Sequence, residues 1–261
     1  MYNFKSVLFS LVFSGMFISS VVFADDGIVA ADDSVKESKV WLDVGVKGAV
    51  GGDYLSKPDV PDYMAGFVVP FDDGAGGIGG GGGIFADLRI LKQHLGLEVG
   101  LLFDANKLWC NITQNGLVKV NYAFKENNLR IPVLLKGNIV NGITRIGLGI
   151  GPEFIIGTGA STDVTIEEGA EYVTAAQLQD FNDMFSASKR NDVALAWEFS
   201  MAFMVKKVAI TLDLRFSYNL TLPKGYLERV EFDNSYSSAD IQAGHTVDGR
   251  ILLGAAYMFD F

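Results

Sequence analysis

The feature that most constrains this chain is a period of two. About eight stretches of roughly ten residues place large apolar side chains at every second position and put glycine, alanine or charged residues between them. The clearest sets Leu95, Leu97, Val99, Leu101 and Phe103 against Gly96, Glu98, Gly100 and Asp104. Successive side chains of a strand point to opposite faces, whereas a helix turns by about 100° per residue and cannot produce this pattern. Each stretch therefore reads as a strand with one apolar and one polar or small face.

The other strands follow in order. Val40, Leu42, Val44 and Val46 oppose Asp43, Gly45 and Lys47, and Ile84, Ala86, Leu88 and Ile90 oppose Asp87 and Arg89. Leu129, Ile131, Val133 and Leu135 oppose Arg130 and Lys136, with an upstream run of Val118, Val120 and Tyr122 as an extension. Pro132 lies on the charged phase of that strand, where its missing N–H calls for an irregularity such as a bulge. Ile146, Leu148, Ile150, Phe154 and Ile156 oppose Arg145, Gly147, Gly149, Gly151 and Glu153. The sixth strand runs from Asp192 to Val205 with Glu198 on its polar face, and the seventh sets Ile210, Leu212, Leu214 and Phe216 against Asp213 and Arg215. The eighth carries Ile251, Leu253, Ala255, Tyr257, Phe259 and Phe261 opposite Arg250, Gly254, Ala256 and Asp260.

The connections alternate between short and long. Short turns fall around Lys92-Gln93, between Asn138 and Gly142, and at Lys206-Lys207, while long connections run from Gly51 to Gly79, Lys107 to Lys125, Thr158 to Asn191 and Pro223 to Thr246. With an even strand number, the short turns and both ends of the sheet share one side, and the long loops share the other. Ahead of the first strand, Met1 to Ala24 has the pattern of a secretory signal peptide: an early Lys5, apolar runs, and Val22-Phe23-Ala24 before Asp25-Asp26. Cleavage is expected after Ala24, leaving a short periplasmic segment 25–37 and a barrel domain 38–261. No later segment approaches the roughly twenty apolar residues of a membrane helix, so any insertion must be by strands. The formal charge of -10 excludes a basic nucleic-acid surface.

Alternation alone does not say which face is inside. In a soluble barrel the apolar phase would converge on a core, and in a membrane barrel it would face lipid. The export signal, the strand lengths, the loop alternation and the terminal Phe261 favour lipid. So do two groups of aromatics, Phe103, Phe154, Trp197, Phe216 and Tyr218 toward the loop end and Phe203, Phe259 and Phe261 toward the turn end. The opposite phase is then the lumen, carrying Asp43, Lys47, Asp87, Arg89, Glu98, Arg130, Lys136, Arg145, Glu153, Glu198, Asp213, Arg215 and Asp260. An eight-stranded barrel is only wide enough for its own side chains, so these charges are expected to pair across it as a plugged polar core.

The terminal segment Gly254 to Phe261, with a final aromatic and apolar residues at alternate positions, resembles the last strand of bacterial outer-membrane proteins. The segments Leu95 to Phe103 and Leu129 to Lys136 are similar to recurrent stretches of the outer-membrane β-barrel family that includes PorT-like proteins, and the architecture resembles OmpX, OmpW and the OmpA barrel. This resemblance implies an all-β, eight-stranded antiparallel up-and-down transmembrane β-barrel in the outer membrane. It also implies outer-membrane lipid and the barrel-assembly machinery as partners, with Tyr257, Phe259 and Phe261 forming the assembly signal. No periplasmic peptidoglycan-binding domain is expected after the last strand. Fold does not fix function.

Chemistry outside the barrel pattern is sparse, and no cofactor is expected. His94 falls in a short turn and His245 at the loop rim near Asp240 and Asp248; Ser235, Ser237 and Ser238 have no nucleophile motif around them, so no catalytic site is expected. The run Gly74 to Gly83 lacks the lysine and following helix of a phosphate loop, and is expected to be a mobile or bulged approach to the second strand. Thr174 with Gln177 forms a capping-box pattern, and Leu178, Phe181 and Phe185 share one helical face, a candidate contact for packing or for a loop ligand. Acidic residues of the same loop, including Asp163, Glu167, Glu168 and Glu171, read as a solvated surface, with divalent-cation collection as the sharper alternative. Cys110 reads as a free thiol in a loop. Surface interaction with an extracellular ligand or a host or surface partner, or a role in envelope integrity, is the expected function. Passage of a small, possibly hydrophobic solute is the alternative.

Overall fold

The computed structural model describes residues 40–55, 75–114, 117–175, 191–220 and 246–261. The signal-peptide region, Leu178, Phe181, Phe185, His245 and the three serines lie outside them. The strands are β1 (Trp41–Leu55), β2 (Ala75–Ile90), β3 (Leu95–Gln114), β4 (Val118–Asn141), β5 (Thr144–Glu168), β6 (Asn191–Val205), β7 (Val208–Asn219) and β8 (Thr246–Asp260). Each pairs antiparallel with its neighbour in sequence, and β8 returns to β1 to close the barrel. Within the belt closure leaves no unpaired edge among the described residues, whereas β3 beyond Trp109 and β5 beyond Ile156 run on past the ends of β2 and β6.

One end is made of tight turns. Leu91, Lys92 and Gln93 take positive φ in the β2–β3 turn, Lys206 does so in the β6–β7 turn, and Gly142 supplies φ 58° between β4 and β5. At this end Val40 and Phe261 exchange backbone hydrogen bonds of 2.9 and 3.3 Å, so the first and last strands meet beside the turns.

The period of two settles the faces. Along β3, Leu97 is 43 % exposed while the adjacent Glu98 is 1 % exposed. The same contrast runs round the barrel, with Val46, Ile84, Leu135, Leu148, Phe199, Ile210 and Leu253 outward and the charged phase buried. A closed sheet with an apolar exterior and a charged interior is the arrangement of a membrane barrel, since the exterior would be costly in water. The fold is thus an eight-stranded antiparallel transmembrane β-barrel.

The strands are unequal. β3, β4 and β5 have 20, 24 and 25 residues, against 12 to 16 for the others. Their loop-end halves form a three-stranded projection whose polarity is reversed. Lys107, Asn111, Asn121, Lys125 and Asn127 take the outward positions, and Leu108, Cys110, Val118, Val120, Tyr122 and Phe124 the buried inward ones. Reversal is what leaving lipid for water requires, because the outer face then needs polar groups and the inner one an apolar core. On β5 a register shift at Asn127/Asn128 leaves Thr158 as the extra residue, so inward positions pass from odd numbers (Glu153, Ile155) to even ones (Thr162, Val164, Ile166).

Several expectations are corrected here. The glycine run is not a bulged or mobile approach: from Ala75 onward it is regular β2, paired without a shift to both β1 and β3. The glycines permit close approach, since a Cβ on Gly83 would lie 1.9 Å from the Leu101 carbonyl oxygen and one on Gly81 1.8 Å from that of Phe103. The expected long connection from Lys107 to Lys125 is largely strand, as are the first residues of the connections expected from Gly51 and Thr158. Cys110 is not in a loop but buried on β3, in register with Tyr122. Pro132 produces no bulge. The ladders pause beside it, opposite Gly100-Leu101 on β3 and Gly151-Pro152 on β5, and resume in the same register. Gly100 makes room for the ring, whose Cγ would lie 3.0 Å from a Cβ at that position.

Candidate functional site

The inward phase of all eight strands meets in the lumen as a stack of ion pairs. Nearest the turns, Asp43 of β1 is held between Arg89 of β2 and Arg145 of β5, the latter at 2.8 Å, while Arg89 also donates to Gln93 at 2.5 Å. Asp87 lies 3.7 Å from the Arg89 Nε. The strands place these residues opposite one another because the barrel is narrow, and each charge is stable there only by sharing its partners.

The middle layer is the most densely linked. Glu98 on β3 accepts from Lys47 at 2.6 Å, Lys136 at 2.8 Å and Arg215 at 3.1 Å. Glu198 on β6 accepts from Lys136 at 2.8 Å and from the Arg215 Nε and Nη2 at 2.9 and 2.5 Å. Lys47 also lies 2.8 Å from Asp213, and its ammonium sits 4.2 Å from the Phe85 ring centroid. Three carboxylates and three cations from β1, β3, β4, β6 and β7 thus cross the full width of the barrel.

Arg215 leads into the upper layer, lying 3.7 Å from Glu153, which also accepts from Ser217 at 2.8 Å. Here Arg130 donates to Asp104 at 2.8 Å, Asp248 at 3.0 Å and Glu153 at 3.2 Å, with Asp53 at 3.7 Å. Arg250 donates to Asp53 at 2.6 Å, Asp104 at 3.0 Å and Asn106 at 3.1 Å. Asp53, Asp104, Asp248 and Arg250 were not among the expected lumen charges. Their signal is parity: Asp104 and Arg250 stand on the polar phase read for β3 and β8, and Asp53 and Asp248 continue the inward phase of β1 and β8 beyond the clean apolar alternation. Asp260 belongs elsewhere: its side chain is more than half exposed at the turn end, 3.9 Å from Lys207.

Between them, these layers leave little free space. A small cavity beside the upper layer is lined by Leu102, Asp104, Arg130, Glu153, Arg215 and Arg250. Among the described residues no group of three or more histidine, cysteine or acidic side chains could hold a metal ion. His94 caps the turn end, its Nδ1 lying 3.0 Å from the Asn138 carbonyl oxygen. Tyr257, Phe259 and Phe261 take outward positions at the turn end of β8, where Tyr257 and Phe259 have ring centroids 4.8 Å apart.

Beyond the belt, the projection carries its own groups. Burial pushes the Cys110 thiol up to about 12, which keeps it protonated and inert. On the outer face Lys125 hydrogen-bonds Asp163 at 2.5 Å and holds its carboxyl below the usual range, and Lys119 pairs with Glu167 at 3.0 Å. Lys107 lies over the Trp109 ring, 5.1 Å from its centroid.

Fold and site together define a transmembrane β-barrel with an apolar exterior and a filled, charged interior. No family model and no curated protein matches the chain. Among solved structures it is similar to the outer membrane protein OprG of Pseudomonas aeruginosa, at 11 % identity over 85 % of this chain and 96 % of that one, with a TM-score of 0.36. It is similar also to Neisserial surface protein A, at 11 % identity over 84 % and 97 % with a TM-score of 0.35. A further likeness is to the outer membrane protease OmpT of Escherichia coli, at 10 % identity over 88 % and 99 % with a TM-score of 0.35.

Proposed function

We propose that this chain is an outer-membrane barrel whose lumen is a structural plug, and that its work is done by the loop-end surface, as contact with an extracellular ligand or surface partner or as a contribution to envelope integrity. The observation that carries this reading is the interlocking of charged side chains at every level of the lumen. A path for ions would have to break pairs that hold one another across the barrel. The β3–β5 projection, polar outside and apolar inside, is built to stand in water beyond the lipid.

Planar-bilayer recording on the folded protein tests the plug, and single-loop deletions test the surface. The expected results are no stepwise conductance, and loss of any measured binding with retention of heat-modifiable folding. Steady conductance, or binding that survives deletion of all four loops, would overturn the reading. Passage of a small solute is the second reading, favoured by the ladder pauses on both sides of Pro132. Uptake of a solute into vesicles by the wild type, abolished when Pro132 is replaced by valine, is the result that would select it.

A further inference from the structure

We propose that the outer face of the β3–β5 projection, at the line where it leaves the apolar belt, binds the phosphate of a phosphate-monoester lipid through Lys107 and Lys125. These lysines are directly opposed across the β3–β4 ladder on the outward phase. Like charges in that position repel, and a sheet that keeps them in register calls for an anion between them. Among the described residues the carboxylate paired with this row is Asp163, which sits one row farther from the belt and is taken by Lys125 at 2.5 Å. Lys107 has no ion pair among the described residues, so the three groups leave one positive charge over.

The position selects a lipid over a soluble anion. Below the lysine row come Ala105 and Asn127, and below those Phe103 and Leu129, the last outward residues of the belt on these strands. On β2 the neighbour of Lys107 is Ile78, which faces outward and is 57 % exposed. An occupant therefore meets apolar surface on its membrane side and ammonium groups at headgroup height, as an amphiphile with a phosphate at its polar end would need. Ser161, opposite Lys125 on β5, adds a hydroxyl to the same row. Trp109, one row above, is 38 % exposed, and indole rings favour the bilayer boundary. Long aliphatic stems let both ammoniums clear the apolar belt.

The test uses the full folded chain in phosphatidylcholine nanodiscs containing phosphatidic acid, phosphatidylglycerol or no further lipid, with bound lipid counted by native mass spectrometry. The wild type should retain phosphatidic acid over phosphatidylcholine, and Lys107→Gln and Lys125→Gln should each weaken retention by about fivefold. A Lys206→Gln/Lys207→Gln variant at the other rim should match the wild type. Heat-modifiable mobility checks that each variant is folded. Retention unaffected by both glutamines, or equal retention of phosphatidylcholine, would overturn the proposal. Phosphatidylglycerol held as well as phosphatidic acid would overturn the monoester assignment, and displacement by millimolar inorganic phosphate in place of lipid would overturn the lipid assignment. Failure of the folded chain to enter the nanodiscs would overturn the membrane reading as well, which separates the two.

Discussion

Replacing Arg130 by methionine removes the hub of the upper lumen while keeping its length. The Arg130 side chain is 3 % exposed and lies within 2.8 to 3.7 Å of four carboxylates, those of Asp53, Asp104, Glu153 and Asp248. Arg250 serves three of the same carboxylates and Arg215 reaches only Glu153, so neither can replace it. Breaking a buried pair by removing one partner costs about 3 to 5 kcal/mol, because the other charge stays buried and uncompensated. With a urea slope of about 2 to 3 kcal/mol per molar, the unfolding midpoint should fall by about 1 to 2.5 M. The assay is reversible unfolding in detergent micelles, followed by tryptophan fluorescence and by gel mobility. Adding Asp104→Asn and Asp248→Asn to the variant removes two of the three carboxylates that then share Arg250 with too little positive charge, and should restore at least half of the loss. A midpoint unchanged by Arg130→Met would mean that the lumen is wet enough to solvate lone carboxylates, and the plug would be refuted.

Three other outcomes follow from the same geometry. Val133→Arg should cost about 2 to 4 kcal/mol of stability in bilayers, since that outward position is near mid-belt; the same urea titration in vesicles checks it. Gly83→Leu places a Cβ 1.9 Å from the Leu101 carbonyl oxygen, so β2 and β3 must move apart, and the folded band in an unheated gel should weaken or vanish. The Cys110 thiol titrates near 12 when folded and from the ordinary value of 9.0 when unfolded. The folded state therefore holds this proton more tightly, so stability present below pH 9 should decline as pH rises from about 9 toward 12. Cys110→Ala should flatten that decline, as read from unfolding midpoints across the alkaline range.

The strands within the belt were legible because a lipid-facing surface demands an unbroken period of two, and Leu95 to Phe103 shows it without interruption. The residues of the lower and middle lumen layers shared that phase, and the same parity carried Asp53, Asp104, Asp248 and Arg250 into the upper layer. Asp104 and Arg250 stand on the polar faces already read for their strands, whereas Asp53, after Gly51-Gly52, and Asp248, before Gly249, lie where strong alternation has ended or thinned. The projection was harder to read because its polarity reverses where lipid ends, so Lys107 and Lys125 looked like loop residues. At Thr158 the extra residue also exchanges odd for even positions, which no fixed-period reading follows. The glycine run misled for a related reason: glycine weakens strand propensity, but here close contact with β3 excludes a side chain.

The most direct measurement is cysteine accessibility along β3 in a Cys110→Ser background, in protein reconstituted into vesicles. Single cysteines at Leu97, Glu98, Val99 and Asp104 should separate into two classes. Positions 97 and 99 should react with lipid-soluble maleimides and resist charged ones, and positions 98 and 104 should resist bulky reagents of both kinds because they lie within the packed lumen. Free aqueous labelling at 98 and 104, with 97 and 99 closed to lipid-soluble probes, would contradict the account by putting the charged face in water and the apolar face in a core.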